Sequence, residues 1–408
     1  MVGGSSELLD RWDFYSSLEW EVSGTTKVVL VPKDSRGPRI ISSEPLEYMW
    51  LQQGLGRKLM DHLEGYFTTR GHINFRSQQI NRDLALASSD PKLRATPARE
   101  FTQAWKDAGL TSYPPLQVDG GYVTLDLKDA SDRVTLTLVN KVFEERPLLL
   151  ECLKSLRSTE TLLPSGKKIS LRKFAPMGSA LCFPVEAYIF WVIIVSAISR
   201  KRGLDPRFVS RFVYVYGDDI IVPKKYSDLA IQSLTECGLL VNTQKCCTSG
   251  DFRESCGMDA FRGNDVTPVK LKSRWSGSNR DASAFASYIA LANNLDEMYK
   301  NTKEYLRDLI QETYGFVPYC LPNAGYIGFI TTDRERVVRS LRRLSMRWDA
   351  DIQSFKVRVR RLKNDDSESA LDDWPRLLRG VTTGVGEDPS RVVDLKTTKI
   401  SWGWTLVS

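Results

Sequence analysis

The sequence predicts an α+β fold, with an antiparallel hairpin, a further strand that can share its sheet, and helices. Three observations carry that reading. Phe212-Val-Tyr-Val215 and Ile220-Ile-Val-Pro223 are apolar runs rich in β-branched and aromatic residues, and they flank Tyr216-Gly-Asp-Asp219. Such a pattern is a β-hairpin with two carboxylates at its tip. Gly121-Tyr-Val-Thr-Leu-Asp126 reads as a second strand that ends in an acid. The stretch from Ala180 to Ile198 is almost wholly apolar and reads as one long buried helix.

In chain order, Val31-Pro-Lys-Asp-Ser-Arg-Gly-Pro-Arg39 is a basic loop, its Pro and Gly marking irregular backbone. Glu44 to Leu63 has Leu, Met and Trp at helical spacing, and Ser88 to Gly120 reads as a loop-bearing connector. After Asp126 a helix is expected from about Ser131, a good N-cap, to Phe143. Residues 228–240 read as a helix ending at Gly238, and 252–272 as short strands. Phe355, Val357 and Val359 alternate with Lys356, Arg358 and Arg360, as in a strand with one basic face. From Thr331 to Lys363 nine Arg and two Lys face four acids, an excess of seven that equals the net charge of the whole chain, +7. The basic character is therefore concentrated, and a track for a phosphate backbone is expected along Arg358, Arg360 and Arg361. The acidic, Ser-bearing patch from Asn364 to Asp373 reads as a loop.

At 408 residues, 42% hydrophobic and 26% charged, the chain has the composition of a globular protein of two or three domains. Seven cysteines lack any CxxC pair, which fits a reduced cytoplasmic setting. Only two histidines are present, so chemistry must run on carboxylates and lysines. The long apolar segment carries Pro184 and Glu186, which argues for a core helix rather than a membrane span. Met1-Val-Gly-Gly-Ser-Ser-Glu lacks the basic and apolar regions of a signal peptide.

A strand ending in Asp126 beside a hairpin tipped with Asp218 and Asp219 would bring three carboxylates to one sheet edge. Hard oxygen ligands in that arrangement suit two Mg²⁺ ions, with Mn²⁺ as an alternative, clamping the oxygens of a phosphoryl displacement.

These segments resemble the signature motifs of viral RNA-dependent RNA polymerases. Asp126-Leu-Lys-Asp-Ala-Ser-Asp132 looks like motif A, Pro176-Met-Gly-Ser179 with Glu186 like motif B, and Tyr216-Gly-Asp-Asp219 like motif C. Val31-Pro-Lys33 with Arg39, Gln79-Ile-Asn-Arg82, Gly250-Asp-Phe-Arg-Glu-Ser-Cys-Gly257 and Asp265-Val-Thr-Pro268 resemble the narrower group of Qβ-type RNA phage replicases. The resemblance runs from residue 27 to 273, about 60% of the chain. It implies a right-hand polymerase: fingers over 1–120, a palm over 121–272, and a thumb with the basic C-terminal region over 273–408. It implies template-directed RNA synthesis from nucleoside triphosphates on an RNA template, in the cytoplasm of a bacterial host.

By the same resemblance Asp126 and Asp218 would bind both metals, with Asp219 supporting. Lys33, Arg36 and Arg39 would hold the triphosphate, and Gly178 would allow close backbone approach. Asp132 and Ser179 would read the ribose hydroxyls, and Lys245 would protonate the leaving pyrophosphate. Arg253 and Glu254 would pair with each other, and Glu186 would have a buried hydrogen-bonding partner. Asp126 and Asp132 stand six residues apart, one more than in many RNA virus polymerases, which leaves Asp129 as an alternative for the ribose contact. Replicases of this type recruit host translation elongation factors and a ribosomal protein, though no motif here corresponds to that. The basic loop begins about thirty residues from Met1, where a long finger region is usual, so either a truncated start or an unusually short chain is expected. A narnavirus- or ourmiavirus-like replicase is an alternative with the same chemistry. A reverse transcriptase fits less well, because Gly217 precedes the two aspartates. A fragment that only binds RNA is the alternative from another class.

Overall fold

The computed structural model describes residues 24–34, 37–271, 273–295, 299–322, 324–364 and 398–406. The chain divides into two units, Met1–Val266 and Thr267–Ser408.

In the first unit strands β1 (Thr25–Asp34) and β2 (Gly37–Ser43) pair antiparallel, and the basic stretch expected as an irregular loop is largely strand: 31–34 end β1 and 37–39 begin β2, with a register shift between Val31 and Asp34. Helix α1 (Leu46–Gly65) follows, then α2 (Gln79–Ser89). The expected connector holds two further helices, Pro91–Ala95 and Ala98–Asp107. Pro91 and Pro97 sit at helix starts, where a missing N–H costs nothing. Strands β3 (Tyr122–Leu125) and β4 (Leu127–Lys128) come next. The single helix expected over 131–143 is two pieces, Ala130–Arg133 and Leu136–Phe143. Thr135, not Ser131, caps the longer piece, its side chain accepting from Leu138 N.

Strands β5 (Glu160–Leu162) and β6 (Lys168–Ser170) extend the β1–β2 sheet in the order β2-β1-β5-β6. Helix α3 (Cys182–Arg202) is long and apolar enough to cross a membrane, yet it is a core helix here. Val185, Ile189, Phe190, Ile194 and Ile198 are all fully buried. Residues all round the helix are covered, so it presents no amphipathic face.

Strands β7 (Tyr214–Tyr216) and β8 (Asp219–Pro223) form the predicted hairpin. β8 is the centre of the sheet β3-β8-β7, with Leu125 opposite Ile220 and Tyr122 opposite Pro223. Val123, Val215, Ile220, Ile221 and Val222 are fully buried, because this sheet is covered on both faces. Helix α4 (Ser227–Glu236) leads to β9 (Leu240–Val241), which pairs with β4. The unit closes with the antiparallel set β10 (Phe252–Ser255), β11 (Met258–Phe261) and β12 (Asn264–Asp265).

In the second unit, helices α5 (Ala282–Asn294) and α6 (Lys300–Tyr314) pack around Phe285, Ile289, Ile310 and Tyr314. The short parallel pair β13 (Tyr319–Cys320) and β14 (Phe329–Ile330) leads to α7 (Arg334–Leu341). The chain then forms the antiparallel sheet β15 (Met346–Asp349), β16 (Ser354–Asn364) and β17 (Thr398–Leu406), with β16 central. Val357 and Val359 of β16 bury against Val337 and Leu341 of α7. Beyond Asn364, the acidic patch expected as a loop lies outside the described residues.

Candidate active site

The β3–β8 register dictates where the acids sit. Leu125 is paired with Ile220, so Asp126 and the turn Gly217-Asp218 emerge together at one end of the sheet. Gly217 takes the left-handed conformation (φ +61°), and a Cβ there would lie 2.3 Å from the Phe183 ring. Only glycine satisfies both demands. The end of the sheet opens into a cleft of about 850 Å³ lined by Asp126, Asp218, Arg39, Gly178, Glu186 and Lys245 among others.

Asp126 is held from behind. Asn242 Nδ2 donates to its Oδ2 at 2.8 Å, and the Asn242 backbone N–H donates to its carbonyl at 2.9 Å. Lys245 Nζ stands 3.7 Å from Asp126 Oδ1. Burial raises the Asp218 carboxyl above the usual range, and the charge of Asp126 adds to that, while Lys245 and Arg39 pull it back. Two repelling hard-oxygen groups beside a cleft fit a divalent cation, whose charge would reverse the penalty.

The third expected ligand turns elsewhere. Asp219 begins β8 and lies outside the cleft lining; its Oδ1 accepts from Ser255 Oγ at 3.4 Å. Burial, then the charge of Asp218, pushes it up to about 7. Among the described residues no three His, Cys, Asp or Glu side chains lie close enough together to hold a metal ion. The expected convergence of three carboxylates is thus reduced to two.

Gly178 has φ +123°, and a Cβ there would lie 2.1 Å from the Ser42 carbonyl oxygen. Ser42 N also donates to Met177 O at 2.8 Å, which locks β2 against this loop. Ser179 is buried; its Oγ donates to Gln52 Oε1 (3.0 Å) and accepts from Leu181 N (3.3 Å). With its proton committed, the hydroxyl has only acceptor capacity left. Asp132 Oδ1 is paired with Lys173 Nζ, while Asp129 takes the left-handed conformation at φ +54°. Both line the cleft. Arg39 is exposed on the cleft wall, whereas the side chains of Lys33 and Arg36 lie outside the described residues.

Three participants were not assigned to the site from the sequence, Glu186 among them although its buried partner was expected. Gln52 of α1 is fully buried: its Oε1 also accepts from Ala180 N (3.1 Å), and its Nε2 donates to Leu156 O (2.8 Å). Nothing local to Gln52 marks it, because its partners lie more than a hundred residues away. Glu186 lines the cleft, with Cys182 Sγ 3.7 Å from Oε2 as its buried partner. Burial, reinforced by Asp218, pushes its carboxyl up to about 8, so it is largely protonated at neutral pH. Asn242 is the third, visible in sequence only as a neighbour of Lys245.

The expected Arg253–Glu254 pair is not formed. Arg253 is fully buried and donates to the carbonyls of Tyr122 (3.0 Å), Gly250 (3.0 Å) and Phe252 (2.6 Å), bracing β3 from below. Adjacent residues on a strand face opposite ways, so these two could not meet.

In the second unit the three expected RNA-binding arginines do not share one surface. Arg358 is exposed, with its guanidinium 5.2 Å from the Trp402 ring centre. Arg360 is half-buried between Trp402 (5.1 Å) and Phe285 (5.6 Å). Arg361 lies on the opposite face, where Gly403 leaves room for it, and its Nη2 donates to Trp404 O at 2.8 Å.

Residues 117–280 match the family model described as RNA replicase, beta-chain. The chain is 30% identical over 254 residues to the RNA-directed RNA polymerase subunit beta of Qbeta virus (strain MX1), covering 62% of this chain and 36% of that protein. It is 31% identical over 258 residues to the corresponding subunit of Escherichia virus Qbeta (62% and 36%). It is 29% identical over 259 residues to the RNA-directed RNA polymerase beta chain of Escherichia phage MS2 (64% and 40%). The chain therefore spans well under half the length of these relatives. Among solved structures, the RNA-dependent RNA polymerase of a human picorbirnavirus aligns at a TM-score of 0.39 and 12% identity, over 71% of this chain and 56% of that one.

Proposed function

We propose that this chain, whose central segment matches the replicase beta-chain family, is an RNA-directed RNA polymerase acting on a phage genome in the bacterial cytoplasm. The observation that carries the reading is the pairing of Asp126 and Asp218 at one end of the β3–β8 register, facing the cleft. The substrates are an RNA template, a growing RNA strand and nucleoside triphosphates.

In this reading the 3′-hydroxyl of the growing strand loses its proton to solvent water, its oxygen attacks the α-phosphorus, a phosphodiester forms, and the bond to pyrophosphate breaks. Asp126 and Asp218 would hold Mg²⁺, which when bound supplies Lewis-acid stabilisation of the attacking and leaving oxygens. Arg39 faces the triphosphate charge from the cleft wall. Lys245 gives its proton to the departing pyrophosphate oxygen. Gly178 lets the backbone approach the nucleotide, and Ser179 and Asp132 bound the ribose. Glu186, protonated, adds no further negative charge beside the two ligands.

The test is incorporation of labelled nucleotides on an RNA template with Mg²⁺. Asp218→Ala is expected to bring incorporation to background, and incorporation that survives it overturns the assignment. Asp219→Asn is expected to be milder, because that side chain turns toward Ser255.

A further inference from the structure

The sheet β15–β16–β17 carries an interleaved ladder of arginine and tryptophan that the nucleotidyl-transfer reading leaves unused. Residues directly opposite across an antiparallel pair share a face, and alternate residues along a strand do too. Arg358 is opposite Trp404, Arg360 opposite Trp402, and Arg347 opposite Lys356, so all six lie on one face. The Arg347 guanidinium stands 4.3 Å from the Trp404 ring centre. Arg358 and Arg360 stand 5.2 and 5.1 Å from that of Trp402.

Two properties separate this face from an ordinary charged surface. Its cations outnumber its acids: Asp349 is taken by Lys356, while Arg347 and Arg358 are exposed and have no ion pair among the described residues. Its aromatic surface also stays open, since Trp402 is 51% exposed despite two guanidinium neighbours. A solvated basic face needs no exposed indole, and a protein partner would have to bring its own carboxylates to meet these arginines. Indole and guanidinium planes both accept a nucleobase face, and the guanidinium edges take phosphate.

We propose that this face binds single-stranded RNA, its bases stacking on Trp402 and Trp404 while Arg347 and Arg358 take the phosphates. The choice of RNA among polyanions rests on the polymerase reading; the stacking geometry does not. The occupant is a single strand because a duplex keeps its base faces to itself.

The experiment measures the affinity of the whole chain for a short labelled oligouridylate and for an RNA duplex of equal length, by fluorescence anisotropy. Trp402→Ala combined with Trp404→Ala is expected to weaken single-strand binding by about five- to a hundredfold for each stacked base lost, and to spare the duplex. Trp402→Phe alone is expected to hold single-strand affinity within about threefold, because the ring still stacks. Arg347→Gln with Arg358→Gln is expected to reduce the salt slope by about 0.7 for each phosphate that is no longer neutralised. Single-strand affinity unchanged in the double Trp variant overturns the proposal. So does a lowered melting temperature with affinity retained, which would leave the ladder a device for pinning β17. Incorporation by Asp218→Ala and oligouridylate binding by the double Trp variant are separate readouts, so failure of the polymerase reading appears in incorporation and failure of this proposal in binding.

Discussion

The β3–β8–β7 sheet of the first unit and the β15–β16–β17 sheet of the second both combine strands with charge, but they place it differently. In the first, the strands are apolar along their length and the acids stand only where strands end, at Asp126 and Asp218. In the second, five of the eleven residues of β16 are Arg or Lys, spread along the strand itself. Charges at strand ends keep their field, because the buried sheet beneath has nothing to neutralise them. Charges along a strand meet whatever lies opposite, here the indoles of β17 and the carboxylate of Asp349. A strand end concentrates charge for chemistry, while a strand face spreads it for contact.

The sharpest way to break the first half of that contrast is Gly178→Ala. The added Cβ would meet the Ser42 carbonyl in a conformation that non-glycine residues avoid. A cost of about 3 kcal/mol or more is expected, relieved by displacing the loop. Incorporation should fall with the thermal midpoint; a variant of unchanged midpoint and activity would show that the loop is not locked.

A smaller effect concerns His72, whose ring packs against that of Tyr214 in β7. Burial, then the charge of Arg211, holds its imidazole down at about 4, below the usual 6.5. The unfolded chain therefore binds the extra proton first. The stability from neutral His72 is complete above about pH 6.5 and is lost as pH falls toward 4, on the order of 2 kcal/mol. His72→Phe should flatten the fall in unfolding free energy across that window, and an unchanged pH profile would remove the imidazole from the account.

The smallest effect tests the second half. Arg358→Gln removes one exposed guanidinium from a tryptophan face. A stability loss of only about 0.5–1 kcal/mol is expected by chemical denaturation. A loss of several kcal/mol would mean that the arginine ladder belongs to the core rather than to the surface.

Much of the first unit was legible because its signals are local. The hairpin over 212–223, the strand ending at Asp126 and the apolar helix Cys182–Arg202 are written in period, β-branching and turn chemistry. The break at Val134 and the helices inside the Pro-rich connector were not legible, because a Pro or Ser marks a terminus without saying on which side the helix lies. In the site, Asp126, Asp218, Gly178 and Lys245 could be named from motifs, whereas Gln52 could not.

What the sequence determined by itself is therefore the set of strands, the acids at their ends and the glycines their turns require. These depend on neighbours within a few residues. The tertiary structure alone decided that Asp219 turns to Ser255, that Ser179 spends its proton on Gln52, and that Arg253 braces β3 rather than meeting Glu254. It also decided that Arg360 and Arg361 part to opposite faces of β16. Each of those outcomes is a choice of hydrogen-bond or packing partner across tens of residues or more, and a buried polar group takes the partner that the fold brings to it.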